Sequence, residues 1–135
     1  SNNYGPFHFP EKLIPLFVTN LLEGKKIPVY GSGMNVRDWL HVDDHCRGIY
    51  AVLTKGRAGQ IYNIGGGTEL SNLELVRKII QLMGASENLI TFVADRKGHD
   101  FRYAIDASKL AQKVNFIPSG NFKMMLSETI DFYLP

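Results

Sequence analysis

Val36-Arg37-Asp38-Trp39-Leu40-His41-Val42-Asp43-Asp44-His45 is the stretch from which the rest of the chain can be read. Val36 to Val42 alternates well enough to form a β-strand. Asp43-Asp44 stands where a helix would begin, because acidic groups are favourable near the positive end of a helix and can cap its free N–H groups. The predicted helix continues to Lys55-Gly56, with Ile49 and Leu53 in its buried stripe. Strand and helix follow each other directly here and alternate on either side, which places the chain in the α/β class.

Upstream, Ser1 to Pro10 holds two prolines, a glycine and two asparagines, a composition that favours a loop and presents Asn2 and Asn3 from it. Leu13, Leu16, Phe17 and Leu21 then fall at helical spacing, Pro15 is tolerable in a first turn, and Gly24 supplies the stop. Ile27 to Tyr30 reads as a short strand, and Gly31-Ser32-Gly33 turns the chain toward Val36. Downstream, Gln60 to Ile64 reads as a buried strand, followed by Gly65-Gly66-Gly67, where a ligand could approach the backbone closely. Ser71-Asn72-Leu73-Glu74 has the spacing of a capping box. The helix it opens should run to about Met83, with Leu73, Val76, Ile80 and Met83 facing inward and Gly84 closing it. Ile90 to Ala94 is a further strand, Asp95 to His99 a polar loop, and Asp106 caps a short helix through Val114. Asn121 caps the last helix, with Phe122, Leu126, Ile130 and Tyr133 on one face.

The chain has 135 residues, 44% of them hydrophobic and 21% charged, enough for one domain with a real core. A net charge of +2 is too small to make nucleic acid the main partner, yet suits a pocket for an anion such as a pyrophosphate. No apolar run reaches the ~20 residues needed to cross a bilayer, so no membrane partner is expected. A single cysteine, Cys46, cannot form an internal disulfide, and a reducing cytoplasm is the simplest home. The strands are few and short, the chain starts at Ser1 without Met, and there is no strand, Gly-rich turn and helix to hold a dinucleotide. There is also no Tyr followed four residues later by Lys. The chain therefore reads as a substrate-binding piece of a larger enzyme.

Several side chains could carry chemistry. Asn2 and Asn3 can each donate and accept uncharged hydrogen bonds to a sugar hydroxyl or phosphate, or can merely tie down the turn before Gly5-Pro6. Arg37, Arg96 and Lys12 are the candidate anion holders, since guanidinium offers two-pronged contacts and ammonium a compact charge. Arg37 lies in an apolar strand, where a guanidinium needs a partner: Asp38, another acid, or a ligand. His41, Asp43, Asp44, His45 and Cys46 do not have metal-ligand spacing, because the two imidazoles fall on different elements; no metal is expected. Asp95-Arg96-Lys97-Gly98-His99-Asp100 reads as a binding loop or as a solvated one, with no nucleophile spaced to work beside His99.

In order and across nearly the whole chain, the blocks SNNYGPFHFPEKLIPL, IPVYGSGMNVRDWLHVDDH, GQIYNIGG, VADRKGHDFRYAID and ETIDFYL resemble the carboxy-terminal part of the dTDP-glucose 4,6-dehydratase family of extended short-chain dehydrogenases. The PEKLIPL and DRKGHDFRYAID stretches are the most specific of these. The resemblance implies the substrate-binding part of such a fold, without its main Rossmann half. It also implies a lyase reaction on dTDP-glucose: hydride passes from C4 to NAD, water leaves across C5 and C6, and hydride returns to C6, giving a 4-keto-6-deoxy sugar nucleotide. NAD and the catalytic side chains would belong to an amino-terminal domain absent here, so no catalytic residue is expected in this chain and no turnover by it alone.

By the same resemblance Asn2 would contact the substrate and Asn3 would lie beside the nicotinamide end of NAD. Lys12 and Leu13 would line the sugar-nucleotide site, Pro28, Val29 and Tyr30 would pack around the nucleoside, and Arg37 would meet the pyrophosphate. Asn72 matches another substrate contact, and Asp95, Arg96, Lys97, Gly98 and His99 match a loop that closes over the nucleotide. The parent would be a homodimer. A UDP-sugar epimerase, decarboxylase or dehydratase of the same superfamily is the alternative within enzymes, and a non-catalytic sugar-nucleotide-binding module the alternative outside them.

Overall fold

The strand that ends at His41 is the hub of the architecture. The structure, a computed structural model, describes residues 1–134. In it β3 (Val36–His41) pairs with three other segments. Its second half runs parallel to β1 (Asn2–Tyr4), with Asn2 opposite Trp39 and Tyr4 opposite His41. Its first half runs antiparallel to β4 (Glu69–Ser71) and parallel to β6 (Arg102–Tyr103). A separate two-stranded sheet joins β2 (Ile27–Tyr30) to β5 (Ile90–Val93) in parallel, from Ile27 opposite Ile90 to Tyr30 opposite Val93. The helices are α1 (Leu13–Leu22), α2 (Val42–Lys55), α3 (Asn72–Met83), α4 (Ser108–Val114) and α5 (Phe122–Tyr133). The class is α/β, as the sequence implied.

The main core lies between α1, α3, α5 and β2. Ile14, Val18, Ile27, Leu75, Val76, Ile79 and Leu126 are fully buried there. Each such side chain removed from water contributes about 1.5–3 kcal/mol. A smaller cluster packs Ala51 of α2 against Leu110 and Val114 of α4, with Ile64 and Phe116 beside them.

Several expectations change. Asn2 and Asn3 stand on a strand rather than a loop, because the backbone of residues 2–4 is taken up by the ladder with Trp39 to His41. The cap of α2 is His41, whose ring nitrogen accepts from Asp43 N–H at 3.3 Å, rather than Asp43 or Asp44. Asp44 is buried instead, accepts from Ser119 N–H (3.1 Å) and Oγ–H (3.0 Å), and pairs with Arg47, so it fastens the approach to α5 onto α2. Ile49 and Leu53 are 50% and 80% exposed, since α2 turns Gly48 and Ala51 toward α4. Gln60 to Ile64 is extended but joins no ladder among the described residues; its backbone bonds are isolated ones, Gln60 N–H to the Arg57 carbonyl at 3.2 Å and Ser1 N–H to the Ile64 carbonyl at 2.9 Å, and Ile61 is 82% exposed.

The glycine triplet serves the protein's own backbone rather than a ligand. A Cβ on Gly66 would fall on the Trp39 carbonyl, and one on Gly65 would come within 2.9 Å of the Asp38 carboxylate. The capping box of α3 forms as read: Ser71 Oγ accepts from Glu74 N–H (3.2 Å) and the Glu74 carboxylate accepts from Ser71 N–H (2.7 Å). Its buried stripe is rotated, however, to Leu75, Val76, Ile79 and Ile80, with Leu73 and Met83 only half-buried at its margin.

Candidate functional site

A cavity of about 410 Å³ opens where β1, β2, β3 and the start of α1 and α3 meet. Asn2 and Asn3 reach it from β1, Lys12 and Leu13 from the start of α1, and Pro28, Val29 and Tyr30 from β2. Arg37 comes from β3, Asn72 from the first residue of α3, and Arg96 and His99 from the loop after β5. Residues far apart in sequence thus converge because three short strands and two helix starts point at one space. Asp95, Lys97 and Gly98 do not line it. Lys97 is exposed, and Gly98 has the positive φ (70°) that turns the loop.

The cationic side chains are held in unequal ways. Arg37 donates from one nitrogen to the Val36 carbonyl (2.7 Å) and from another to the Asp100 carbonyl (2.9 Å). Among the described residues no carboxylate meets it, and Asp38 faces elsewhere, accepting from Gly66 N–H and Thr68 N–H at 3.0 Å each. A guanidinium has five N–H donors, so some remain for an incoming anion. Arg96 lies over the Tyr30 ring, 5.4 Å from its centroid. His99 meets the same ring edge-on at 6.4 Å.

His99 also shares a 2.7 Å hydrogen bond with the Asp95 carboxylate, which in addition accepts from Arg96 N–H at 2.8 Å. The His99 bond first, and the Arg96 amide after it, hold the Asp95 carboxyl below its usual range. Asp95 therefore shapes the loop through His99 without touching the cavity. Asn3 is committed within the protein: its Oδ1 lies 2.8 Å from His45 Nδ1 and its Nδ2 donates to the Ser1 carbonyl at 3.1 Å.

Sequence reasoning missed His8, Glu11, Leu16, Phe17 and Trp39, which also line the cavity. Leu16 and Phe17 were legible as part of the α1 stripe, since they lie one turn from Leu13 on the same side. His8 carried no such signal. Its Nδ1 is buried without a hydrogen-bond partner, and burial, with Lys12 nearby, pushes its protonation to lower pH. Among the described residues no group of three or more His, Cys, Asp or Glu side chains could hold a metal ion, and no helix is long and apolar enough to cross a membrane. The cavity thus brings together cationic, aromatic and amide side chains, with the Glu11 carboxylate beside them.

A family model described as GDP-mannose 4,6 dehydratase matches residues 1–129. A dTDP-glucose 4,6-dehydratase of Streptomyces antibioticus is 53% identical over 133 residues, covering 98% of this chain and 40% of its own length. The crystal structure of dTDP-glucose 4,6-dehydratase from Bacillus anthracis in complex with NAD superposes with a TM-score of 0.94 at 56% identity, over 98% of this chain and 42% of that one. A UDP-glucose 4-epimerase from Thermotoga maritima, with UDP-glucose, gives a TM-score of 0.91 at 25% identity, over 98% of this chain and 43% of that one. The chain thus spans about two fifths of the length of these relatives.

Proposed function

Because the chain belongs to the GDP-mannose 4,6 dehydratase family, we propose that it forms the nucleotide-sugar-binding part of a dTDP-glucose 4,6-dehydratase. The observation that carries this reading is the convergence of Lys12, Arg37, Arg96 and Tyr30 on one cavity. Lys12 and Arg37 supply charge and direction for a diphosphate. Tyr30, flanked by Arg96 and His99, supplies the face for a nucleobase, beside Pro28 and Val29. Asn2 and Asn72 offer uncharged hydrogen bonds to the sugar end. The loop of Asp95 to His99 covers the bound nucleotide.

The relatives' cofactor does not fit this chain alone. Among the described residues the Gly31 to Gly33 turn leads into β3 and the glycine triplet into β4, so neither opens a helix that could receive a dinucleotide pyrophosphate. Asn3, held by His45 and the Ser1 carbonyl, would supply only an edge beside NAD. In this reading NAD is bound chiefly by a domain outside these residues, where it supplies the transient hydride acceptor, and this chain presents the sugar to it. The acid, base and redox side chains lie in that domain too, and the complete enzyme is a cytoplasmic homodimer that forms the 4-keto-6-deoxy sugar nucleotide.

The test is a proton–nitrogen NMR titration of the chain with dTDP-glucose, with UDP-glucose as control. Selective shifts at Tyr30, Arg37 and Asn72 with the thymidine nucleotide are expected. Arg37→Ala should weaken binding about 10- to 100-fold, the equivalent of losing charge-assisted hydrogen bonds worth roughly 1.5–3 kcal/mol. Equal response to UDP-glucose would favour a UDP-sugar enzyme, the reading supported by the epimerase likeness. Absence of any response to either ligand would refute the assignment of the cavity.

A further inference from the structure

The turn between β2 and β3 holds a buried polar side chain that neither the resemblance nor the cavity lining assigns. Asn35 is 6% exposed. Its Nδ2 donates to the Asp100 carbonyl at 3.2 Å, and its own carbonyl accepts from Asn72 N–H at 3.0 Å. Its neighbours make bonds of the same kind: Gly33 O accepts from Leu73 N–H (2.9 Å), and Val36 N–H donates to the Phe101 carbonyl (2.8 Å). The turn is thus clamped between the start of α3, which carries Asn72, and the far end of the loop that carries Arg96 and His99.

The Asp100 carbonyl accepts from two side chains, Asn35 and Arg37. These donors differ in what an anionic ligand does to them. Arg37 lines the cavity, so a diphosphate bound there would draw on the same guanidinium that holds Asp100. Asn35 does not line the cavity and has no charge to be drawn. Resting on the reading of the cavity as a nucleotide-sugar site, we infer that Asn35 is a positioning residue: its amide keeps the Asp100 carbonyl in place, and so keeps Arg96 and His99 over the cavity, while Arg37 turns to the ligand. Without it, the Asp100 carbonyl would rest on Arg37 alone, the side chain that also faces the ligand.

The geometry also selects the variants. Asn35→Ala removes the amide and leaves the backbone bond to Asn72 in place. Asn35→Asp keeps the shape but sets a carboxylate oxygen against the Asp100 carbonyl, a repulsive pair in a buried place. Asn35→Gln retains the donor on a side chain one methylene longer and serves as the conservative rescue.

Hydrogen exchange is measured over residues 96–103 and over α1 and α3 in the ligand-free chain, together with dTDP affinity by calorimetry. Asn35→Ala should speed exchange in residues 96–103 roughly three- to tenfold, as loss of one ordinary hydrogen bond does, with α1 and α3 unchanged. The dissociation constant for dTDP should rise by a similar factor, the effect should be larger in Asn35→Asp, and Asn35→Gln should recover part of it. Unchanged loop exchange in Asn35→Ala overturns the inference whatever the nucleotide does. Equal acceleration throughout the chain also overturns it, since Asn35 would then serve only the fold. If the loop loosens locally but the wild-type chain ignores dTDP, the tether stands and the assignment of the cavity falls.

Discussion

Asp38 provides the sharpest test of how the site-bearing strand is held. Its carboxylate is 1% exposed and accepts from Gly66 N–H through one oxygen and Thr68 N–H through the other, each at 3.0 Å. Gly66 N–H is shared with Ser1 Oγ at 3.2 Å. Replacing Asp38 by Ala removes both acceptors at once; Gly66 keeps Ser1, whereas the Thr68 donor loses its acceptor. A hydrogen bond to a charged acceptor contributes about 1.5–3 kcal/mol, so Asp38→Ala should cost about 3–5 kcal/mol, a large part of the 5–15 kcal/mol typical of a domain. Asp38→Asn retains one carbonyl oxygen, best turned to Thr68, and should cost about half as much, roughly 1.5–3 kcal/mol. Urea denaturation measures both, through the midpoint at unchanged slope. If Asp38→Ala falls within about 1 kcal/mol of wild type, or if the two variants coincide, the charge does not organise the 65–68 turn and the reasoning is wrong.

Other consequences are as concrete. Gly66→Ala puts a methyl on the Trp39 carbonyl and should destabilise the chain by about 3 kcal/mol or more, as strained or overpacked sites do; thermal melting reads it. Ser71→Ala removes the acceptor for Glu74 N–H and should cost about 1 kcal/mol, with helix loss confined to the start of α3 in hydrogen exchange. Leu126→Ala, at a fully buried position between α1, α3 and α5, should cost about 2–5 kcal/mol in the same melts. His8 is kept from protonating in the fold by burial first and Lys12 second, so its folded pKa lies below the unfolded value of about 6.5. In that window the unfolded chain binds more protons, so stability is complete above about pH 6.5 and declines as pH falls below it; His8→Gln should flatten this decline in urea midpoints taken at several pH values.

Elements whose reasons are local were legible in the sequence. The capping box of α3, the Gly84 stop with its left-handed φ of 63°, and the cap of α5 by Asn121, which accepts from Met124 N–H at 3.3 Å, all depend on residues within one turn of each other. Apart from the cap of α2, which falls on His41 rather than on the acids just after it, what failed depended on distant partners. β1 looks like a loop because nothing near Asn2 reveals that Trp39 pairs with it. Gln60 to Ile64 has strand composition, but a strand exists only if a ladder meets it, and the described chain brings it only isolated bonds, from Ser1 to the Ile64 carbonyl, from Lys109 to the Ile61 carbonyl and from Gln60 back to Arg57. Ile49 and Leu53 satisfy a helical period equally well on either side of α2, and only the position of α4 decides that Ala51 faces inward. In the site, residue type found the cations and the aromatic platform, whereas His8 and Asn35 became visible only through burial and the groups they face.

The ion pairs explain why the cavity has binding capacity to spare. Arg47 is paired with Asp44, Arg77 with Glu87 at 3.5 Å and Arg102 with Glu69 at 2.7 Å, so their charges are spent within the fold. Arg37 and Arg96, the arginines that line the cavity, are held differently: Arg37 by two carbonyl oxygens and Arg96 over a tyrosine ring. Carbonyl and ring contacts fix the direction of a guanidinium without cancelling its charge. The Asp95 carboxylate makes its hydrogen bonds to His99 and to the Arg96 amide, and it lies close enough to the Arg96 side chain to interact with its charge. On the proposed reading a diphosphate entering the cavity has no carboxylate to displace from Arg37 among the described residues, only carbonyl oxygens, one of which Asn35 also holds.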